Sequence, residues 1–164
     1  MLFRSYFPRI VVPAAQVLSS FVDFAVAWGL FILVATLMGH WHWTLLAMTP
    51  LLVLIMGLTG LGPGLALTAL SVQYRDVRHV QGFLVQMWML ATPVIYPASR
   101  LPEWAQDWLF LNPMAAVINT YRACLTGGPF DWVQLGLSLV TAVLYLIAGA
   151  WFFRKRETRF ADIL

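Results

Sequence analysis

The chain is 164 residues long, 61% hydrophobic and 15% aromatic, and only 10% charged. Its mean hydropathy of +0.79 excludes an ordinary soluble domain, in which apolar residues make up about 45–50%. The net charge of +3 comes almost wholly from Arg set at the ends of apolar runs, so no basic face for nucleic acid is built.

Arg4 and Arg9 precede the first apolar run without an acid, which places this end on the cytoplasmic side, because short Arg- and Lys-rich segments stay inside. The run is too long for a signal-peptide core and no small-residue cleavage site follows it. Pro13 suits a first helical turn, and residues 13–38 would extend about 39 Å, enough to cross with tilt. Asp23 is the one acid within a predicted span. It either faces a polar path, or bonds a neighbouring helix or snorkels to the inner surface.

Gly39-His40-Trp41-His42-Trp43 is a turn without Arg or Lys, hence outside. Its two His invite a metal reading, but no carboxylate or Cys lies close in sequence, and an interfacial belt flanked by Trp is the plainer account. The second span, 44–72, is too long to be straight and upright. Gly57, Gly60, Gly62 and Gly64 surround Pro63, which predicts a kink, and Gly60 with Gly64 forms a GxxxG suited to close helix contact.

Gln73-Tyr74-Arg75-Asp76-Val77-Arg78-His79 then interrupts the apolar sequence. Arg or Asp at the bilayer centre costs about 2.5–3.5 kcal/mol each, so this stretch belongs at a membrane surface, and its Arg pair assigns the cytoplasmic one. A third span, 80–95, runs into Thr92-Pro93-Val94-Ile95-Tyr96-Pro97, where two prolines end a helix and force an extended turn.

Residues 96–131 read as an outer segment that dips in and returns. Leu101, Trp104, Ala105, Trp108 and Leu109 mark one face of a short surface helix, with Glu103, Gln106 and Asp107 opposite. Asn112 caps a second short helix that Pro113 begins and Gly127-Gly128 stops. Arg122 on that helix has no acid within four positions, so it must reach a carbonyl, a lipid phosphate, or Glu103, Asp107 or Asp131. The last span, 132–153, ends at Arg154-Lys155-Arg156-Glu157-Thr158-Arg159. The inner segments together hold Arg4, Arg9, Arg75, Arg78, Arg154, Lys155, Arg156 and Arg159, and the outer ones only Arg100 and Arg122. The expectation is an all-α polytopic membrane protein with four transmembrane helices, two short re-entrant or interfacial outer helices, and both termini cytoplasmic.

Catalysis finds little support. Asp23 is the only ionisable group inside a span, with no His or Lys at its depth, and Cys124 is the only cysteine, so neither an internal disulfide nor a CxxC metal site can form. An intramembrane hydrolase or a haem-binding subunit is therefore disfavoured, and a non-catalytic structural subunit remains the alternative to a transporter.

Tyr6-Phe7-Pro8-Arg9, Tyr74-Arg75-Asp76-Val77-Arg78-His79, Pro93-Val94-Ile95-Tyr96-Pro97, Leu111-Asn112-Pro113-Met114, Tyr121-Arg122 and Arg159-Phe160-Ala161-Asp162 occur in order along the chain. Together they resemble the permease subunit of type-2 ABC exporters, in the O-antigen and teichoic-acid polysaccharide export branch. Members carry a cytoplasmic helix and two further spans ahead of the Tyr-Phe-Pro-Arg segment, so the resemblance implies that this chain is the C-terminal part of the family domain, truncated at its N-terminus.

The resemblance also implies a division of labour in a bacterial cytoplasmic (inner) membrane. The chain has no phosphate-cradling Gly-rich loop with Lys. It would bind no cofactor, leaving ATP and Mg to a separate ABC ATPase subunit. That subunit would dock on Arg4, Tyr6, Phe7, Pro8 and Arg9, and on Tyr74, Arg75, Asp76, Arg78 and His79. Two permease copies would form a homodimer around a path for a lipid-linked glycan, with Asp23, Met87, Trp88, Tyr96 and Tyr121 as candidate lining, since sugar C–H faces stack on aromatic rings. For Met87, Trp88, Tyr96 and Tyr121 alike, packing or a lipid-facing belt is at least as good an account. Pro93, Pro97, Asn112, Pro113 and Arg122 would belong to an outer gate.

Overall fold

A computed structural model of the chain describes residues 11–39, 42–74, 76–97, 100–102, 104, 106 and 108–160. Those residues form five α-helices and no strand: α1 (Val11–Leu37), α2 (Trp43–Gln73), α3 (Val77–Ala91), α4 (Pro113–Thr126) and α5 (Trp132–Phe160). A short 3-10 turn, Leu109–Leu111, leads into α4. The all-helical expectation is met.

Three helices are long and apolar enough to cross a membrane, over Leu18–Leu37, Trp43–Gln73 and Trp132–Arg156. The predicted span 80–95 is the exception to the expected four. It forms α3, of 15 residues, or about 22 Å against a hydrocarbon thickness of about 30 Å. Pro93 explains the early stop. Its ring disfavours helical backbone at the preceding residue, and Thr92 is extended at φ −92°, ψ 131°. At the other end of the chain α5 outruns its predicted limit of 153, since the charged residues that follow are good helix formers in water. α2 is a continuous helix of 31 residues with both Pro50 and Pro63 inside it.

α2 is the central element, and its longest interface is with α5. In lipid, water does not drive helices together, so small residues that let backbones approach are decisive. The contact falls at Gly62, not at the predicted Gly60 and Gly64. A Cβ on Gly62 would overlap the Tyr145 backbone, and one on Gly149 would overlap the Gly62 carbonyl, whereas Gly60 and Gly64 face open space. Two apolar clusters flank this point. Leu52, Ile55, Val117, Leu135 and Ala142 join α2, α4 and α5 on one side, and Leu65, Ala69 and Phe153 join α2 and α5 on the other. α4 is received by its small face, Ala115, Ala116, Thr120 and Cys124.

α1 and α3 are peripheral. Ala35 is the one buried side chain among those described on α1, and Gly57 of α2 leaves room for the Phe21 ring. α3 is exposed at every position from His79 to Ala91.

The glycine contact is testable. Gly149→Leu should destabilise the protein by about 1–3 kcal/mol, the usual cost of forcing extra atoms into a packed contact. Gly60→Ala, made in open space, should change stability by no more than about 0.5 kcal/mol. Thermal unfolding in detergent, followed by aggregation, compares the two; equal melting temperatures would remove Gly149 from the packing account.

Candidate functional site

The end of the bundle where α3 stops and α4 begins is held by side chains reaching across sequence. Asn112 caps α4 as expected: its Oδ1 accepts from Met114 N at 3.2 Å and Pro113 occupies the first turn. Its Nδ2 donates to Thr92 Oγ1 at 2.9 Å, so one side chain both starts α4 and fastens the end of α3. Gly127, left-handed at φ 68°, closes α4 where the sequence placed the stop.

Arg122 points from α4 to the proline turn. Its Nη2 donates to Val94 O at 2.7 Å and its Nη1 to Tyr96 O at 3.3 Å. Of the partners weighed from sequence, carbonyls are thus the ones it reaches. A turn bounded by Pro93 and Pro97 has carbonyls that no following helix can use, and a planar cation with paired donors fits them. Asp131, one of the acids considered, instead starts α5, its Oδ1 accepting from Gln134 N at 2.9 Å. Glu103 and Asp107 lie outside the described residues, and with them much of the predicted surface helix, although Trp104 and Gln106 are helical.

Two further bonds complete this assembly. Tyr96 OH donates to Leu90 O at 2.9 Å, folding the turn back on α3. Tyr145 of α5 donates through its OH to Leu111 O at 2.7 Å, and its ring meets Trp88 edge-on with centroids 5.9 Å apart. The sequence marks Thr92 only as the neighbour of Pro93 and gives Tyr145 no signal at all, since Tyr145 sits mid-span among apolar residues and carries no motif.

The candidate lining residues divide. Met87 and Trp88 are exposed on α3, and Tyr96 is half-buried just beyond it. Tyr121 faces elsewhere, packed against the α2–α4–α5 cluster, with its ring 6.4 Å from Phe31 of α1. Asp23 is exposed on α1.

At the opposite end, Tyr74 to Asp76 connect α2 and α3. Val77 N donates to Tyr74 O, and His79 N and Val80 N donate to Asp76 O, which makes the connection a compact turn. Tyr74, Asp76 and His79 are exposed. Arg75, the Arg78 side chain, and Arg4, Tyr6, Phe7, Pro8 and Arg9 lie outside what the structure describes.

Comparison with known proteins places this architecture. Residues 2–126 match the family of ABC-2 type transporter membrane proteins. The O-antigen export system permease protein RfbA of Myxococcus xanthus is 28% identical over 99% of this chain and 64% of its own length. A protein of the same name from Klebsiella pneumoniae is 23% identical over 98% of the chain and 62% of its length. Nodulation protein J of Rhizobium leguminosarum bv. viciae is 24% identical over 77% of the chain and 50% of its length. The chain thus spans somewhat under two thirds of the length of these two permease proteins. With three apolar helices of spanning length and a match over most of its residues, the chain is an integral membrane protein and belongs to the ABC-2 type transporter family.

Proposed function

We propose that the chain forms the C-terminal part of the membrane permease of an ATP-driven exporter of lipid-linked polysaccharide, of the O-antigen, teichoic-acid or capsule type. The likeness to O-antigen export permeases along nearly the whole chain carries this reading. The protein lies in a bacterial cytoplasmic membrane with both termini inside. It takes no catalytic role; a separate ABC ATPase subunit binds ATP and Mg and docks at the inner turn, residues 74–79, and on the segment containing Arg4 to Arg9.

The geometry supports a division between the two ends. The inner turn is compact, polar and exposed, as a docking point must be. The outer end is tied by Arg122, Asn112 and Tyr145 into one body that covers the end of α3. α3 carries Met87 and Trp88 on an exposed face, which suits contact with a glycan and with a second permease copy across a homodimer. In this arrangement the turn between Pro93 and Pro97 is the outer gate and Arg122 its latch.

Three measurements test this reading. Reporters fused after His42 and Gly128 should register outside, and those after Arg78 and Leu164 inside; an inside signal at Gly128 would overturn the outer segment. Arg75→Ala combined with Arg78→Ala should weaken retention of the ATPase subunit or uncouple its hydrolysis from export while leaving insertion intact. Coupling equal to wild type would reduce both Arg to orientation signals. Arg122→Ala removes two charge-assisted hydrogen bonds, each worth about 1.5–3 kcal/mol. In the full-length permease it should give a leaky resting state, seen as uptake of a small polar dye without ATP. A tight resting state with normal export would make the segment a surface cap.

A further inference from the structure

The inner ends of α2 and α5 are fastened by a contact that membrane orientation does not require. Arg156 Nη1 donates to Gln73 Oε1. Gln73 is the last residue of α2, and only residues 74–76 separate it from α3. The Arg156 guanidinium also lies over the Phe152 ring, 4.6 Å from its centroid, and the adjacent Phe153 is buried against Leu65 and Ala69 of α2. Arg156 and Gln73 are both half-buried, so this charge-assisted bond is less screened than one in open water. Its neighbours differ: Arg154 is exposed, and Lys155 sits over the Trp151 ring at 5.0 Å.

The inner turn therefore has one fixed shoulder and one lightly held arm. The shoulder is α2, pinned to α5 by Gln73 and Arg156 and, deeper in, by the Leu65–Ala69–Phe153 cluster. The arm is α3, exposed from His79 to Ala91 and braced against α5 by Trp88 near its far end. A push on the turn meets resistance on the α2 side and moves α3.

We propose that Arg156 is a positioning residue for the inner turn: by holding Gln73 it keeps the end of α2 fixed against α5, so that displacement of the turn is delivered to α3. The proposal rests on the exporter reading, since it takes the turn as the place where the ATPase subunit acts.

The test uses the permease co-purified with an ABC ATPase subunit of polysaccharide export, with Phe83→Cys on the exposed face of α3 as a reporter. Cys124 is buried, so within residues 1–164 the introduced thiol is the one a maleimide reaches. In the otherwise unaltered protein, ATP with Mg should change the labelling rate. Gln73→Leu and Arg156→Met should each reduce that change about tenfold while the ATPase subunit stays bound, the double variant should lose no more than either alone, and Arg156→Lys should keep most of the response. Gln73→Leu alters no charge, so it reads the contact even where Arg156→Met inserts poorly. A full response in Gln73→Leu would overturn the clamp and leave Arg156 as an orientation charge. An unaltered protein that neither retains the ATPase subunit nor responds to ATP would overturn the exporter reading and the clamp with it.

Discussion

Backbone contact between Gly62 and Gly149 is the constraint on which the bundle depends. Within hydrocarbon, apolar side chains gain little by leaving lipid for one another, so association relies on close fit. Two glycines facing each other let α2 and α5 touch main chain to main chain, and both apolar clusters lie on either side of that touch. α4 then fits the same pair through small residues, and α1 and α3 attach as outriders. Residue size thus decides how closely each helix can approach α2.

Polar contacts act at the ends, where each answers a local shortage. Prolines at 93 and 97 leave carbonyls that the backbone cannot serve, and the Arg122 fork takes two of them. The start of α4 has orphan N–H groups, and Asn112 serves one while its amide reaches Thr92. The result is that α3, shorter as a helix than the hydrocarbon is thick, is nonetheless fixed at the tip that meets the proline turn.

What could be read from the sequence was whatever is local. Run length and apolar content located the spanning helices, and Asn112, Pro113 and Gly127 marked both ends of α4, because capping chemistry acts within a few residues. The end of α3 was read a few residues late, since apolar character continues past the proline that stops the helix. Partners distant in sequence were not legible. Arg122 bonds carbonyls 26 and 28 residues away, Tyr145 reaches 34 residues back to Leu111, and Gln73 and Arg156 are 83 apart. The glycine error has the same origin. GxxxG spacing shows that one helix face is smooth, whereas the face that meets α5 is decided by α5.

The prolines of α2 have a mechanical meaning. Pro63 has no N–H to offer the carbonyl of Thr59, so the hydrogen-bond ladder of α2 lacks a rung one residue beyond Gly62. The missing rung lies beside the place where the neighbouring helix approaches α2 most closely. Where α2 cannot brace itself, the main chain of α5 lies against it as a splint, and the 31-residue rod runs on unbroken through the gap.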